Sequence, residues 1–344
     1  MKVGMNCQDR VFPTPGTGGE WPVLQFIPTF IERRYSCSIR VFPHPANQVI
    51  YTSVPEFPYN DFMLRQKWGS VVCPSCGNLV GVQDQQCLSC GRWNPGLWGF
   101  APLLNRLGRD LGFTQFVIGS CATLYVLTLL YDMQGISTGG LLSFLSPSPT
   151  SLFLFGDSGA IPVFRAGRWW TVLSAGWLHG GILHILFNMM AVRQIAPATS
   201  EMYGASRMVI IYTIAGVVGF TASTVAGEFL PGILSGAGFT LGASASILGL
   251  VGALYYYSRR TGSSMIREYV KSWLIPIIFL GFFMRGIDNW AHLGGFAGGY
   301  GAAKFLDPLR PERLDHLIGA LVCLALTGIA IMFSIVHGLP FVRQ

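Results

Sequence analysis

From about residue 113 onward the chain is a succession of apolar runs separated by short polar breaks, and this pattern restricts the fold more than any other feature. The clearest runs are TQFVIGSCATLYVLTLLY (114–131), MVIIYTIAGVVGFTASTVA (208–226) and LIGALVCLALTGIAIMFSIV (317–336). Each supplies the roughly 20 apolar residues that cross a bilayer core. Inside lipid every backbone polar group must be bonded within the protein, so such runs are read as helices. The segment Thr171–Val192 is a fourth span, although it carries two His and an Asn, and three shorter runs follow: Ser244–Tyr257, Trp273–Met284 and Ile287–Phe305. The expected fold class is an all-α polytopic membrane protein, a six-helix bundle plus one C-terminal transmembrane helix.

Composition agrees. Only 11% of the 344 residues are charged, against about 25% in soluble domains. The formal net charge of +7 comes from scattered basic residues, which read as membrane flanks and exclude a nucleic-acid-binding face. No apolar h-region follows MKVGMNCQDR, so no signal peptide is expected. With the N-terminus inside, the inner loops hold Arg193, Arg207, Arg259, Arg260, Arg267, Lys271, Lys304, Arg310 and Arg313, while the outer side holds Arg165, Arg168, Arg285 and Arg343. That bias favours a cytoplasmic N-terminus. The outer connection from about 132 to 170 is too long for a simple link and should pack on the membrane surface or dip into it.

Polar residues at bilayer depth are costly, so each needs a reason. In WLHGGILHILFNMM, His184 and Asn188 lie four apart and share one helix face, with His179 just ahead. In DNWAHLGGFAGG, His292 precedes Gly295 and Gly299, a flat stripe that admits another helix. LGASASILGLVGA offers the matching stripe through Ala245, Gly249 and Gly252. Two such helices in contact would bring Ser244 and His292 together as nucleophile and base. Small-residue stripes are most often packing faces, and a membrane Ser usually bonds its own helix. The convergence of three polar motifs toward one side favours chemistry.

These motifs, HGGILHILFN (179–188), GAS (242–244) with Gly249, and AHLGGFAGG (291–299), resemble the rhomboid family of intramembrane serine proteases over roughly residues 114–305. They fall in that family's order on its second, fourth and sixth helices, and the seventh span resembles its six-plus-one variants. The resemblance implies that Ser244 is the nucleophile and His292 the general base of a two-residue site. It implies oxyanion contacts from His184, Asn188 and the backbone N–H of Ser244, with His179, Gly242, Gly249, Gly295 and Gly299 in support and no cofactor needed for catalysis. A serine just inside a helix start has free N–H groups around it, consistent with that role. Ser244–Tyr257 is 14 residues, about 21 Å, so a helix ending at the inner face starts below the outer surface. Residues 229–241 would then wall a water-filled cavity, and Trp273–Met284 would be the lateral gate. Three features depart from the family pattern or compete with it: Ala245 follows the serine where Gly is common, Thr171 stands where Arg often follows a Trp, and Ser246 offers a second hydroxyl rotated about 200° from Ser244.

Ahead of the spans, CPSCGNLVGVQDQQCLSCGRWNP carries Cys73, Cys76, Cys87 and Cys90 as two CxxC knuckles, the pattern of a closed tetrahedral zinc site. A cytoplasmic position argues against disulfides, and no βαβ pattern suggests a redox pair. Zinc here would be structural, or would shape a surface for protein docking, with the knuckles joined by a small hairpin. Cys7, Cys37, Cys121 and Cys323 show no pairing logic.

The expected organisation is a flexible segment at 1–62, a zinc-ribbon-like module and linker at 63–112, a catalytic six-helix domain at 113–305, and a further span and tail at 306–344. Met63 would itself be a natural start for a zinc-ribbon protein, a reading that residues before it in the intact native mass would reject. The function expected is an intramembrane serine endopeptidase, in a bilayer such as a bacterial inner membrane, cutting transmembrane protein substrates near the outer face. Two rivals are a rhomboid-like pseudoprotease that binds membrane helices for quality control and a transporter whose polar residues line a path.

Overall fold

The computed structural model describes residues 65–342 except 75, 103–107, 109, 141–142 and 285, with 341–342 described by backbone alone. The expected N-terminal segment at 1–62, together with Cys7, Cys37, Met63, Arg285 and Arg343, lies outside the described residues.

The cysteine module is a pair of knuckles on minimal sheet. Strand β1 (Ser70–Val72) pairs antiparallel with β2 (Leu79–Gly81), Val71 facing Val80. The hairpin therefore straddles the first knuckle instead of joining the two, as the spacing suggested. The reason is local bonding. Cys73 N donates to Asn78 O and Gly77 N to Cys73 O; in the second knuckle Cys87 N donates to Arg92 O and Gly91 N to Cys87 O. Gly77 (φ +76°) and Gly91 (φ +73°) occupy the left-handed region that each knuckle needs to turn back.

The membrane part begins with α1 (Phe113–Tyr131). Within the long connection lies α2 (Pro149–Phe155), started by Ser148 Oγ accepting from Ser151 N with Pro149 at the first position. The expected fourth span is broken. The short α3 (Thr171–Ser174) runs into a 3-10 turn to Trp177, and α4 (Ile182–Tyr203) follows at a 92° bend. Gly180 and Gly181 interrupt the helix between them, so the spanning helix starts eleven residues later than the hydropathy suggested and runs eleven further.

Next come α5 (Ala205–Phe229), α6 (Ser244–Thr261), α7 (Ser264–Phe283), α8 (Asn289–Phe305) and α9 (Leu314–Val342). Helix α7 starts well before Trp273, because Ser263 caps it and its first turns carry Arg267, Glu268 and Lys271, which apolarity alone does not pick up. Similarly α6 continues through Arg259 and Arg260 to Thr261, giving 18 residues, or about 27 Å. By length and composition α1, α5 and α9 each suffice to cross a membrane, and a fourth span is made if the bent pair counts as one.

Helices α5, α6 and α8 meet backbone to backbone. A Cβ on Gly295 would lie 2.2 Å from Ala245 O, one on Gly299 2.0 Å from Gly249 O, and one on Gly252 2.3 Å from Phe296 O. On the neighbouring face of α8, Gly294 meets Gly219 and Ala222 of α5. Around this centre pack Trp177, Ile195, Tyr203, Tyr212 and Leu250, all buried.

Helix α9 is bonded into the bundle instead of merely appended. In its C-terminal half Ser334 accepts from Arg168 Nη2 through its carbonyl (2.9 Å) and from Trp170 Nε1 through its hydroxyl (3.1 Å). The buried guanidinium of Arg168 also bonds Phe153 O and lies over the Phe153 ring. Position 171 is thus not where the structural arginine sits: Thr171 Oγ1 donates to Arg168 O at 2.8 Å and lies 3.2 Å from Ser158 Oγ. At the opposite end Glu312, ahead of α9, accepts from Ser206 N and Arg207 N at the start of α5 and pairs with Arg92 of the cysteine module at 3.4 Å. Arg207 in turn donates to the carbonyls of Asp307 and Arg310. Arg168 and Arg207, counted above as loop charges, are therefore buried fastenings; leaving both out keeps the same charge bias.

Candidate active site

The site is assembled by the chain breaks ahead of two helices. Residues 230–243 lead into α6 with a short 3-10 turn (Gly232–Leu234), then pair with the connection between α2 and α3: Ser158 and Thr240 exchange both backbone bonds, and Ala160 N donates to Ala237 O. Gly242 N donates to Ala175 O at 2.9 Å. Gly242 adopts φ +121°, a conformation that disfavours any side chain. There is also no room for one, since a Cβ would lie 2.6 Å from His184 Nε2. The loop therefore presses against the His184 ring two residues before the serine.

Ser244 is the first residue of α6. Its position leaves the N–H groups of the first turn without partners in the helix, and the helix dipole points its positive end there. His292 sits in the first turn of α8, and its Nε2 is 2.8 Å from Ser244 Oγ. The glycine contacts between α6 and α8 make this approach possible, because a bulkier face would hold the two helices apart.

His184 Nδ1 accepts from Gly180 N at 3.3 Å, which leaves Nε2 as the ring atom toward Gly242. His179 is buried and packs edge-on against His184, ring centres 5.1 Å apart. Asn188 is buried one turn below His184, and its Nδ2 donates to His184 O at 2.8 Å. The structure thus gathers Ser244, His292, His184 and Gly242 at one point, with His179 behind them and the Asn188 amide engaged along its own helix. Ser246 points elsewhere: it is buried, and a Cβ added to Gly216 of α5 would meet its Oγ at 2.5 Å.

Asp288, one turn before His292, does not complete a triad. One carboxylate oxygen caps α8 by accepting from Ala291 N, and the other accepts from Ser223 Oγ at 2.5 Å. Ser223 Oγ in turn accepts from Ala237 N. The base-bearing helix is thereby fastened to α5 and to the loop ahead of the serine. Of these partners Asp288 lies within the DNWAHLGGFAGG motif, one turn from His292; Ser223 lies 65 residues away with nothing to mark it.

A second cluster stands in the cysteine module. The four sulfurs of Cys73, Cys76, Cys87 and Cys90 lie within 4.8 Å of one another, Cys73 Sγ to Cys90 Sγ at 3.8 Å and Cys76 Sγ to Cys87 Sγ at 3.6 Å. A tetrahedron with metal–sulfur bonds of about 2.3 Å has edges of about 3.8 Å, so the cluster fits a metal ion. The backbone N–H of Cys90 pulls the Cys87 thiol down to about 7, whereas burial pushes the Cys90 thiol up to about 12. A bound dication would hold all four as thiolates.

Residues 166–308 match the family model described as Rhomboid domain. The chain is 34% identical over 164 residues to "Rhomboid protease GluP" of Bacillus subtilis (strain 168), covering 46% of this chain and 31% of that protein. It is 32% identical over 160 residues to "RHOMBOID-like protein 4" of Arabidopsis thaliana, covering 45% and 39% respectively. With "Putative rhomboid protease YdcA" of Bacillus subtilis (strain 168) it shares 30% identity over 150 residues, covering 43% of this chain and 71% of that protein. The chain spans about a third of the length of the first two relatives.

Proposed function

The chain belongs to the rhomboid family, and from that membership we propose that it is an intramembrane serine endopeptidase working with a Ser244–His292 dyad. The observation that carries this reading is the 2.8 Å approach of His292 Nε2 to Ser244 Oγ at the start of α6. In the proposed reaction His292 takes the serine proton as Oγ attacks a peptide carbonyl and gives it to the leaving amine; water, deprotonated by the same histidine, then cleaves the acyl–serine ester, and the serine regains its proton. The N–H groups at the start of α6 and the side chains of His184 and Asn188 bind the developing oxyanion. For Asn188 this needs its amide to leave His184 O, a rotation the tetrahedral intermediate would reward. The substrate is a transmembrane or juxtamembrane segment of another protein, unwound at small residues so that its backbone reaches the dyad.

The charge bias supports a cytoplasmic N-terminus with the site toward the outer side, in a bacterial inner membrane. We propose a cysteine module with its linker at 63–112 and a catalytic domain at 113–305, a division supported by α1 starting at Phe113 and α8 ending at Phe305. Cleavage of a model transmembrane protein in liposomes by the wild-type chain tests the reading as a whole. His184→Ala and Asn188→Ala should each lower kcat about 100-fold, the scale of one oxyanion donor, with KM nearly unchanged. Equal losses in kcat and binding would argue that these residues only shape the pocket. The second reading, a helix-binding pseudoprotease, has the intact serine–histidine pair against it.

The four cysteines are proposed to hold one structural zinc. Metal analysis of the purified chain should find one zinc per molecule, and none after Cys73→Ser or Cys87→Ser. A metal content unaffected by either change would place the ion elsewhere.

A further inference from the structure

Helix α9 lies beyond residues 166–308, the part that matches the family model, yet one of its polar side chains sits inside the fold. Ser334 is fully buried. A serine in an apolar helix commonly bonds the carbonyl four residues before it, whereas Ser334 Oγ accepts from Trp170 Nε1 at 3.1 Å. Ser174 Oγ, which donates to Gly156 O at 2.7 Å, lies 3.5 Å from the same hydroxyl. A Cβ on Gly156 would run into both hydroxyls, so glycine there lets α9 come this close. The Trp170 ring also packs on Phe333, ring centres 4.4 Å apart.

The segment held in this way is the one that holds the loop ahead of Ser244. Trp170 precedes α3 and Ser174 ends it, and the next carbonyl, Ala175 O, accepts from Gly242 N at 2.9 Å. Gly242 stands two residues before Ser244. A second path runs beside the first. Ile335 and Leu339 of α9 share one apolar cluster with Leu154, Phe155 and Leu178 and with Leu241, the residue before Gly242. Polar and apolar contacts from α9 thus converge on Leu241 and Gly242.

We propose that Ser334 is a positioning residue: from α9 it fixes Trp170 and Ser174, so that Ala175 O holds Gly242 and with it the start of α6 that carries Ser244. The inference rests on the reading of Ser244 as the nucleophile. Ser334 acts through the segment 170–175 and not on the reacting atoms. Losing its hydroxyl strands the indole N–H of Trp170, and a donor left without a partner away from water is costly. The segment relieves that cost by moving, and Ala175 O moves with it.

The test uses the full-length protein in nanodiscs, with Ser334→Ala, Trp170→Phe and the double variant compared to wild type. Trp170→Phe keeps a ring against Phe333 and removes the N–H donor. Gly328→Ala is the control on α9, since a Cβ there meets nothing within 4 Å. Amide hydrogen exchange is measured across 240–246 and across 190–200 of α4, beside the rate at which a small water-soluble fluorophosphonate labels Ser244. Each single variant should exchange about tenfold faster across 240–246, with 190–200 unchanged. Labelling should slow by about tenfold, and kcat on a transmembrane substrate should fall by the same factor with KM unchanged. The double variant should match the single ones, because both changes remove one bond. Unchanged exchange across 240–246 overturns the proposal, as does an equal effect in Gly328→Ala. Faster exchange in both segments alike also overturns it, because that marks general loosening. Faster exchange across 240–246 with labelling and kcat unchanged overturns the positioning role, and effects that multiply in the double variant overturn the Ser334–Trp170 bond as its agent. A wild type that is not labelled and cuts no transmembrane substrate rejects the protease reading, and exchange across 240–246 alone then decides whether Ser334 holds the loop.

Discussion

Ser244→Ala is expected to lower cleavage of a transmembrane substrate in liposomes by at least about 10⁴-fold, to the background of the assay, as nucleophile removal does in serine hydrolases. The site has no reserve. Ser246 lies on the α5 side against Gly216, and both Asp288 carboxylate oxygens are committed to Ala291 N and Ser223. Folding should survive the change, because alanine is well tolerated at the first position of a helix and the serine hydroxyl bonds only His292 among the described residues. Binding of the substrate by the mutant, followed by pull-down, separates lost chemistry from lost structure. Cleavage that persists would move the nucleophile elsewhere. No cleavage by either protein while the substrate still binds would favour the pseudoprotease.

The sequence carried the chemistry further than it carried the geometry. His184, Ser244 and His292 stood out because polar groups in apolar runs are expensive, and expense is visible residue by residue. The glycine stripes of α6 and α8 were equally legible, since their spacing alone sets them on one face. Helix limits were not. The bend before α4 depends on Gly180 and Gly181 acting together with the tight fit of the loop at Ala175 and Gly242, a tertiary matter. The start of α7 was hidden by charges, which hydropathy reads as loop although a helix emerging from the membrane carries them readily. Arg168 and Arg207 read as loop charges and Glu312 drew no reading at all, yet they join segments 166, 103 and 106 residues apart. Nothing in a single sequence marks a distant backbone carbonyl as the acceptor for those arginines, or a backbone N–H as the donor to Glu312.

The same glycine packing sets the last expectation, in which two alanine substitutions on one helix have opposite effects. At Gly299 a Cβ would lie 2.0 Å from Gly249 O and 2.4 Å from Gly249 Cα. Every atom it meets is backbone, so no side chain can turn aside, and α6 and α8 must separate. Overpacking of this kind costs about 1–3 kcal/mol, and Gly299→Ala should fall at the upper end because the helices meet at several glycines in a row. At Gly301, two residues on, a Cβ meets nothing within 4 Å. Gly301→Ala should then gain up to about 1 kcal/mol from helix propensity alone. Unfolding midpoints of the two variants in mild detergent should therefore move in opposite directions from wild type. Cleavage should fall only in Gly299→Ala, because pushing α8 off α6 lengthens the 2.8 Å approach of His292 to Ser244. If both variants were equally stable, the close approach of the two helices would not be what brings the dyad together. The serine and histidine would then have to be held by the loop contacts at Gly242 and Asp288 instead.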